Sequence, residues 1–261
     1  MRPGANSDNP VTDRIALLCL PCGGASASMY ARWRLRLPRW IDLVPVELPG
    51  RGARAAESFS IDFDALVEQL CLEHARLLEK PYALFGHSMG GLLAYGMAAR
   101  LHQWHKRLPL MLFASASPSP SSDTWRFPGR DTDEALLRDL RHYGGTPDDV
   151  LECPEMLRLA LDALAADYVI CNSFRYRVAA HLPVPLRVLA GRDDEVRQQQ
   201  LASWRSETSA SFALHWFNGG HFYLRPQERE VTRLVEKELS SVRRVMKEIT
   251  EAALPALPAS L

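Results

Sequence analysis

The sequence predicts an α/β fold: a mostly parallel central sheet flanked by helices, with a helical lid inserted. Three observations carry that reading. Short apolar runs alternate with helical patterns along most of the chain, as strand–helix–strand units require. A serine between glycines stands where one apolar run passes into a helix. Residues 117–178 break the alternation with helical patterns alone, as a cap over a site would.

The elements follow in order. Residues 14–20 (RIALLCL) stop at Pro21 and a glycine pair, and read as a buried strand feeding a loop. Residues 41–48 (IDLVPVEL) form a second strand candidate, weakened by Pro45, which withholds a ladder donor. Over 62–80, Phe63, Leu66, Val67, Leu70, Leu77 and Leu78 recur at helical spacing, with Asp62 or Ser60 placed to cap. A strand is expected at 82–85, a helix at 89–101 and a strand at 108–114. Helical patterns around 133–142 and 154–173 make the lid. Strands at 185–190 and 212–217 and a helix from 228 to about 245 complete the domain. The organisation expected is a flexible leader over 1–12, one domain over 13–245 with its lid at 117–178, and a frayed tail over 246–261.

Lys and Arg number 31, Asp and Glu also 31, so the formal net charge is zero. No field of one sign argues for nucleic acid or an anionic membrane as partner. No apolar run approaches the ~20 residues that span a bilayer. The first residues, MRPGANSDNPVTD, lack the apolar core of a signal peptide. Five scattered cysteines do not form a disulfide framework, and a reducing cytoplasm is the expectation. Cys19 and Cys22 form a C-x-x-C. A zinc site wants a second such pair, and a redox dithiol wants a helix start where Gly23-Gly24 follows. A core cysteine beside a loop cysteine is expected instead, with no metal and no dissociable cofactor.

Gly86-His87-Ser88-Met89-Gly90 matches G-x-S-x-G. A nucleophile on a very sharp strand-to-helix turn needs neighbours without side chains. The turn sets the hydroxyl at a helix N-terminus, where amides favour developing negative charge. A serine needs a base, and in α/β-hydrolases the chain order is Ser, then an acid, then His. Downstream, the strand PLRVLA ends in Gly191-Arg192-Asp193-Asp194, and FALHWF ends in Asn218-Gly219-Gly220-His221. Asp194 fits a G-x-x-D spacing; Asp193 stands beside it as the alternative. His221 alone among eight histidines follows a terminal strand through two glycines. His74, His142, His181 and His215 lack such a context, His102 and His105 lie near a helix end, and the His87 side chain should point away from the nucleophile. For an oxyanion hole, the Met89 N–H and a donor from the loop Pro21–Ser26, with Gly23 preferred, are the expected pair.

These residues in order give a resemblance. LPCGGASASMYARW, VELPGRGAR, FGHSMGG, HYGGTPDDVLECPEM with the following ADY, and GGHFYL resemble the motifs of type II thioesterases of polyketide and nonribosomal peptide biosynthesis, which are stand-alone α/β-hydrolases. The resemblance spans about residues 15–240. It implies hydrolysis of wrong or stalled acyl and aminoacyl groups from the phosphopantetheine arm of acyl and peptidyl carrier proteins. It implies Ser88 as nucleophile, His221 as base and Asp194 as orienting acid. The lid would shape an acyl pocket, for which Phe127, Met156, Leu157, Leu161, Tyr168 and Phe174 are candidates, with Arg126 and Arg130 the candidates for meeting an acidic carrier. The rival readings are a carboxylesterase or lipase-type serine hydrolase on the same scaffold, a non-catalytic hydrolase-fold binding protein, and acyl transfer in place of hydrolysis.

Overall fold

Every apolar run expected as a strand lies in one sheet. The computed structural model describes residues 14–177 and 181–253. Among them, β1 (Ile15–Leu20), β2 (Ile41–Pro45), β3 (Tyr82–His87), β4 (Leu112–Ser115), β5 (Leu186–Gly191) and β6 (Phe212–Phe217) pair in the order β2-β1-β3-β4-β5-β6. Every adjacent pair is parallel. The helices are α1 (Phe63–Glu73), α2 (Ala75–Leu78), α3 (Met89–Gln103), α4 (Asp133–Tyr143), α5 (Asp148–Glu152), α6 (Pro154–Ser173), α7 (Gln198–Ala202) and α8 (Glu228–Ala253). Residues 27–35 add a 3₁₀ segment. No helix among the described residues is long and apolar enough to cross a membrane.

Strand side chains alternate between faces, and the core divides accordingly. Leu18, Leu20 and Leu84 face α1 and α3 through Phe63, Leu66, Leu70, Leu92 and Leu93. Leu17, Cys19, Phe85 and Phe113 face the other way, onto Tyr30, Trp33 and the Val231, Val235, Leu239 stripe of α8. That stripe repeats every four residues, one face of a helix. On this side Trp33 meets Phe85 edge-on at 4.8 Å. A sheet buried on both faces explains why β1 is apolar throughout and why β3 is buried along its whole length.

Several details differ from the sequence reading: among them, β2 stops at Pro45 and not at 48, and β4 begins at Leu112 and not at 108. Pro45 is tolerated because β2 is an outer strand and Pro45 its last residue. The expected helix over 62–80 is broken at His74, whose backbone leaves helical geometry (φ −98°, ψ 9°) and whose ring Nδ1 lies 3.0 Å from the Leu70 carbonyl. Asp62, not Ser60, caps α1, accepting from the Ala65 N–H at 2.8 Å. At the other end α8 continues to Ala253, past the expected end near 245. The leader over 1–12, and residues 254–261 of the expected tail, lie outside the described residues.

Parallel pairing puts the carboxyl ends of all strands on one edge, where sites in such sheets form. The residues after β1, β3, β5 and β6 meet there. Helices α4, α5 and α6, inserted between β4 and β5, pack over that edge. Their mutual core holds Leu136, Leu140, Leu161, Leu164 and Tyr168.

Candidate active site

Ser88 sits between β3 and α3 with φ 54° and ψ −120°, a region costly for a residue with a side chain. The turn is held from both sides. The Ser88 N–H donates to the Ser115 carbonyl at 2.7 Å, and its own carbonyl accepts from Gly91 N–H at 2.9 Å. The flanking glycines are obligatory for steric reasons. A Cβ at Gly86 would lie 2.0 Å from the Gly90 carbonyl oxygen, and one at Gly90 would lie 2.2 Å from that of Leu20. The serine is half-buried while Met89 and Gly90 beside it are buried, and Ser88 lines the cavity.

His221 follows β6 and Asp194 follows β5. The His221 Nδ1 lies 3.1 Å from both Asp194 carboxylate oxygens. That carboxylate is 1% exposed, and its Oδ1 also accepts from the Val196 N–H at 3.3 Å. Asp193 is solvent-exposed; its backbone N–H donates to the Gly219 carbonyl at 3.1 Å, a contact that ties the two loops together. With the carboxylate on Nδ1, the proton resides there and Nε2 is left as the basic nitrogen. Ser88 Oγ makes no hydrogen bond among the described residues, to His221 or to any other group. Such contacts are commonly long in ligand-free sites and tighten on substrate binding.

The two backbone positions expected for an oxyanion hole, Met89 and Gly23, both line the cavity that holds Ser88. Met89 is the first residue of α3, so its N–H is one of the amides without a partner inside the helix. Gly23 lines the same cavity as Ser88. The next amide, Gly24 N–H, is already committed to Asp167 Oδ2 at 2.7 Å.

His87 points away from the cavity, as expected. Its Nδ1 is 2.8 Å from Ser115 Oγ, which is 2.6 Å from the Tyr223 hydroxyl. It is fully buried, its Nε2 has no hydrogen-bond partner among the described residues, and its ring centroid lies 5.3 Å from that of His221. Burial, with the nearby charges of His221 and Arg225, pushes its pKa well below the ordinary histidine value. It is therefore a neutral support behind His221. The C-x-x-C cysteines are both buried and unpaired, and burial pushes the Cys22 thiol up to about 12, so neither carries thiolate chemistry near neutral pH.

The cavity over Ser88 has a volume of about 700 Å3, ample for a small or medium-sized organic ligand. Phe127 and Tyr168 line it as anticipated, stacked on each other at 4.4 Å. The other four candidates do not. Met156 is exposed and Leu161 is buried in the lid's own core. Leu157 packs against that core, and Phe174 packs edge-on against Phe63 at 4.8 Å. In their place stand Trp125, Leu140, Tyr143, Val150 and Leu164. Tyr143 lies 5.0 Å from the His221 ring, and the neighbouring His142 Nε2 reaches Glu195 Oε1 at 2.8 Å, joining the lid to the loop that carries Asp194. Arg130 is paired with buried Asp139 at 2.9 Å, an internal lid contact; Arg126 is exposed.

Comparison with known proteins gives a consistent picture. The family model described as "Thioesterase domain" matches residues 16–239. The gramicidin S biosynthesis protein GrsT of Aneurinibacillus migulanus is 31% identical over 235 residues, covering 88% of this chain and 90% of that protein. The crystal structure of ClbQ from the colibactin NRPS/PKS pathway superposes with a TM-score of 0.83 at 27% identity, over 89% of this chain and 99% of ClbQ. The type II thioesterase BorB from the borrelidin biosynthetic cluster gives 0.78 at 34% identity, over 91% and 95%.

Proposed function

Since the chain belongs to the thioesterase family, hydrolases acting on thioesters, we propose that it removes aberrant or stalled acyl and aminoacyl groups from the phosphopantetheine arm of carrier proteins in polyketide or nonribosomal peptide assembly lines. The observation that carries this reading is the convergence of Ser88, Asp194 and His221 on one large cavity roofed by the lid. The biosynthetic setting is supported by ClbQ, which comes from an NRPS/PKS pathway, and by BorB, a type II thioesterase of a biosynthetic cluster.

The chemistry follows from the geometry. Ser88 Oγ attacks the thioester carbonyl carbon while His221 Nε2 takes its proton. Asp194 on Nδ1 keeps the imidazole in the required tautomer and stabilises the imidazolium that forms. The carbonyl oxygen, now negative, accepts from the N–H groups of Met89 and Gly23. The tetrahedral intermediate collapses, and His221 returns the proton to the departing thiol of the arm. Water then enters, His221 deprotonates it, and the acid leaves as Ser88 recovers its proton. The apolar wall of Phe127, Tyr168, Leu140 and Val150 suits the acyl chain. In this reading the phosphopantetheine arm enters the cavity while the carrier protein stays outside.

The test is mass spectrometry of a phosphopantetheinylated carrier protein loaded with short acyl and aminoacyl groups. Wild type should return the free thiol form and Ser88→Ala should not. Oxygen-ester turnover with intact acyl-carrier would favour an ordinary esterase. Failure on both, with a phosphonate probe leaving Ser88 unlabelled in folded protein, would favour a non-catalytic role.

A further inference from the structure

The lid places one fully buried charge against the floor of the site, and the steps above make no use of it. Asp167, on α6, has no exposed surface. Its Oδ1 accepts from Arg51 Nη2 at 2.7 Å. Its Oδ2 accepts from Arg51 Nη1 at 2.6 Å and from the Gly24 N–H at 2.7 Å. Arg51, on the loop after β2, is nearly as buried, and Nη1 also reaches the Ala25 carbonyl at 3.3 Å. A lid helix and the β2 loop thus grip the segment Gly23–Ala25 together.

The contact is close as well as polar. A Cβ at Gly23 would lie 3.5 Å from a Leu164 methyl and 3.9 Å from the Asp167 Cβ, and one at Gly24 would lie 3.3 Å from the Leu164 Cβ. The loop is seated on α6 itself. Two adjacent glycines are the least constrained backbone a chain can offer, and Gly24 holds φ +74°. Left to itself this segment would sample many peptide orientations. An oxyanion donor is effective only when its N–H is fixed in advance.

We propose that Asp167 is a positioning residue for the oxyanion hole: from the lid it fixes the Gly23–Gly24 backbone, with Arg51 neutralising its charge. The proposal rests on the reading of Gly23 as an oxyanion donor. The lid is then part of the catalytic frame, because withdrawing α6 withdraws the carboxylate that orders the loop. Arg51 has a definite electrostatic task. A bare carboxylate beside a developing oxyanion opposes it, and the bidentate guanidinium cancels that repulsion.

The experiment measures kcat and KM for hydrolysis of acetyl and longer acyl phosphopantetheine thioesters, with folding checked by circular dichroism. Asp167→Ala should lower kcat about 100-fold, the scale of losing one oxyanion donor, with KM changed less than about 3-fold. The loss should be equal for acetyl and longer loads, since it concerns the carbonyl and not the chain. Arg51→Gln should also lower kcat. Adding Asp167→Asn to it should restore activity to within about 10-fold of wild type, because the amide oxygen still accepts from Gly24 and no charge remains. A folded Asp167→Ala with wild-type kcat, a loss confined to KM or to long acyl loads, or a double variant no better than Arg51→Gln would each overturn the proposal. If Asp167→Ala does not fold, the double variant decides. Ser88→Ala separates the two claims: activity surviving there sinks the site reading, whereas an inactive Ser88→Ala beside a wild-type-like Asp167→Ala sinks this inference alone.

Discussion

Ser88 shows what the serine costs the fold. A non-glycine residue at φ 54° carries about 1–3 kcal/mol of backbone strain, accepted because the turn aims the hydroxyl. Ser88→Gly is therefore expected to abolish turnover while leaving the melting temperature unchanged or raised, measured by calorimetry. A clear fall in stability would deny the strain. The acid can be tested with equal directness. Asp194→Asn should lose about 10³–10⁴ in kcat, as when a triad histidine loses its orienting carboxylate. Asp193→Asn should stay within about 3-fold, because its side chain is exposed and touches neither partner. Ser88 and His221 were legible from spacing alone, since a G-x-S-x-G turn and a glycine-preceded histidine after the last strand are local patterns. The choice between Asp193 and Asp194 was only partly legible. Adjacent residues on a loop point in different directions, and burial of one carboxylate against His221 is a tertiary fact.

At the scale of elements, strands and helices were read well where periodicity was strong, and missed where one residue's backbone intervened. The break at His74 is such a case: the apolar pattern runs on through Leu77 and Leu78, yet the backbone turns. Helices α4 and α6 were placed correctly, but α5, five residues long, is too short to show a helical period and was missed, and the face each lid helix turns to the cavity was not legible. Leu161 and Leu164 lie three apart on α6, both buried, yet Leu164 lines the cavity and Leu161 does not. The two share one face and one lid core, and spacing cannot tell which side chain of a packed face also reaches a pocket. Two predictions belong here. Val150→Trp, on α5 at the cavity wall, should shift kcat/KM toward shorter acyl loads by about 10-fold without unfolding the protein, since a pocket discriminates by a few methylenes at about that level. Gly90→Ala, at the start of α3, should destabilise by at least about 2 kcal/mol in urea unfolding, because its Cβ would sit 2.2 Å from the Leu20 carbonyl oxygen.

For the whole molecule, the parallel sheet gathers residues far apart in sequence onto one edge and leaves a neutral, buried histidine behind them. His87 has a folded pKa well below its ordinary value near 6.5. In the unfolded chain it takes up a proton as pH falls below that value; in the folded protein it resists. The stability it permits is thus complete above about pH 6.5 and drains away as pH falls toward the folded pKa. Urea midpoints measured downward from pH 7 should fall, and His87→Gln should flatten the fall; an unchanged slope would assign it to other groups. The Arg51–Asp167 grip is also a property of the whole fold, joining the first strand's loop, the second strand's loop and the lid. The sequence showed both residues only as members of separate motifs, VELPGRGAR and ADY, with nothing to pair them across 116 positions. The central claim is that Ser88 takes the acyl group from a phosphopantetheine thioester and gives it to water. It is tested most directly by rapid-quench intact-mass analysis of the enzyme with an acyl phosphopantetheine thioester, followed by peptide mapping. A single transient acyl adduct is expected on the peptide containing Ser88, absent in Ser88→Ala, which is also inactive. Steady turnover with no adduct on that peptide, and persisting in Ser88→Ala, would contradict it.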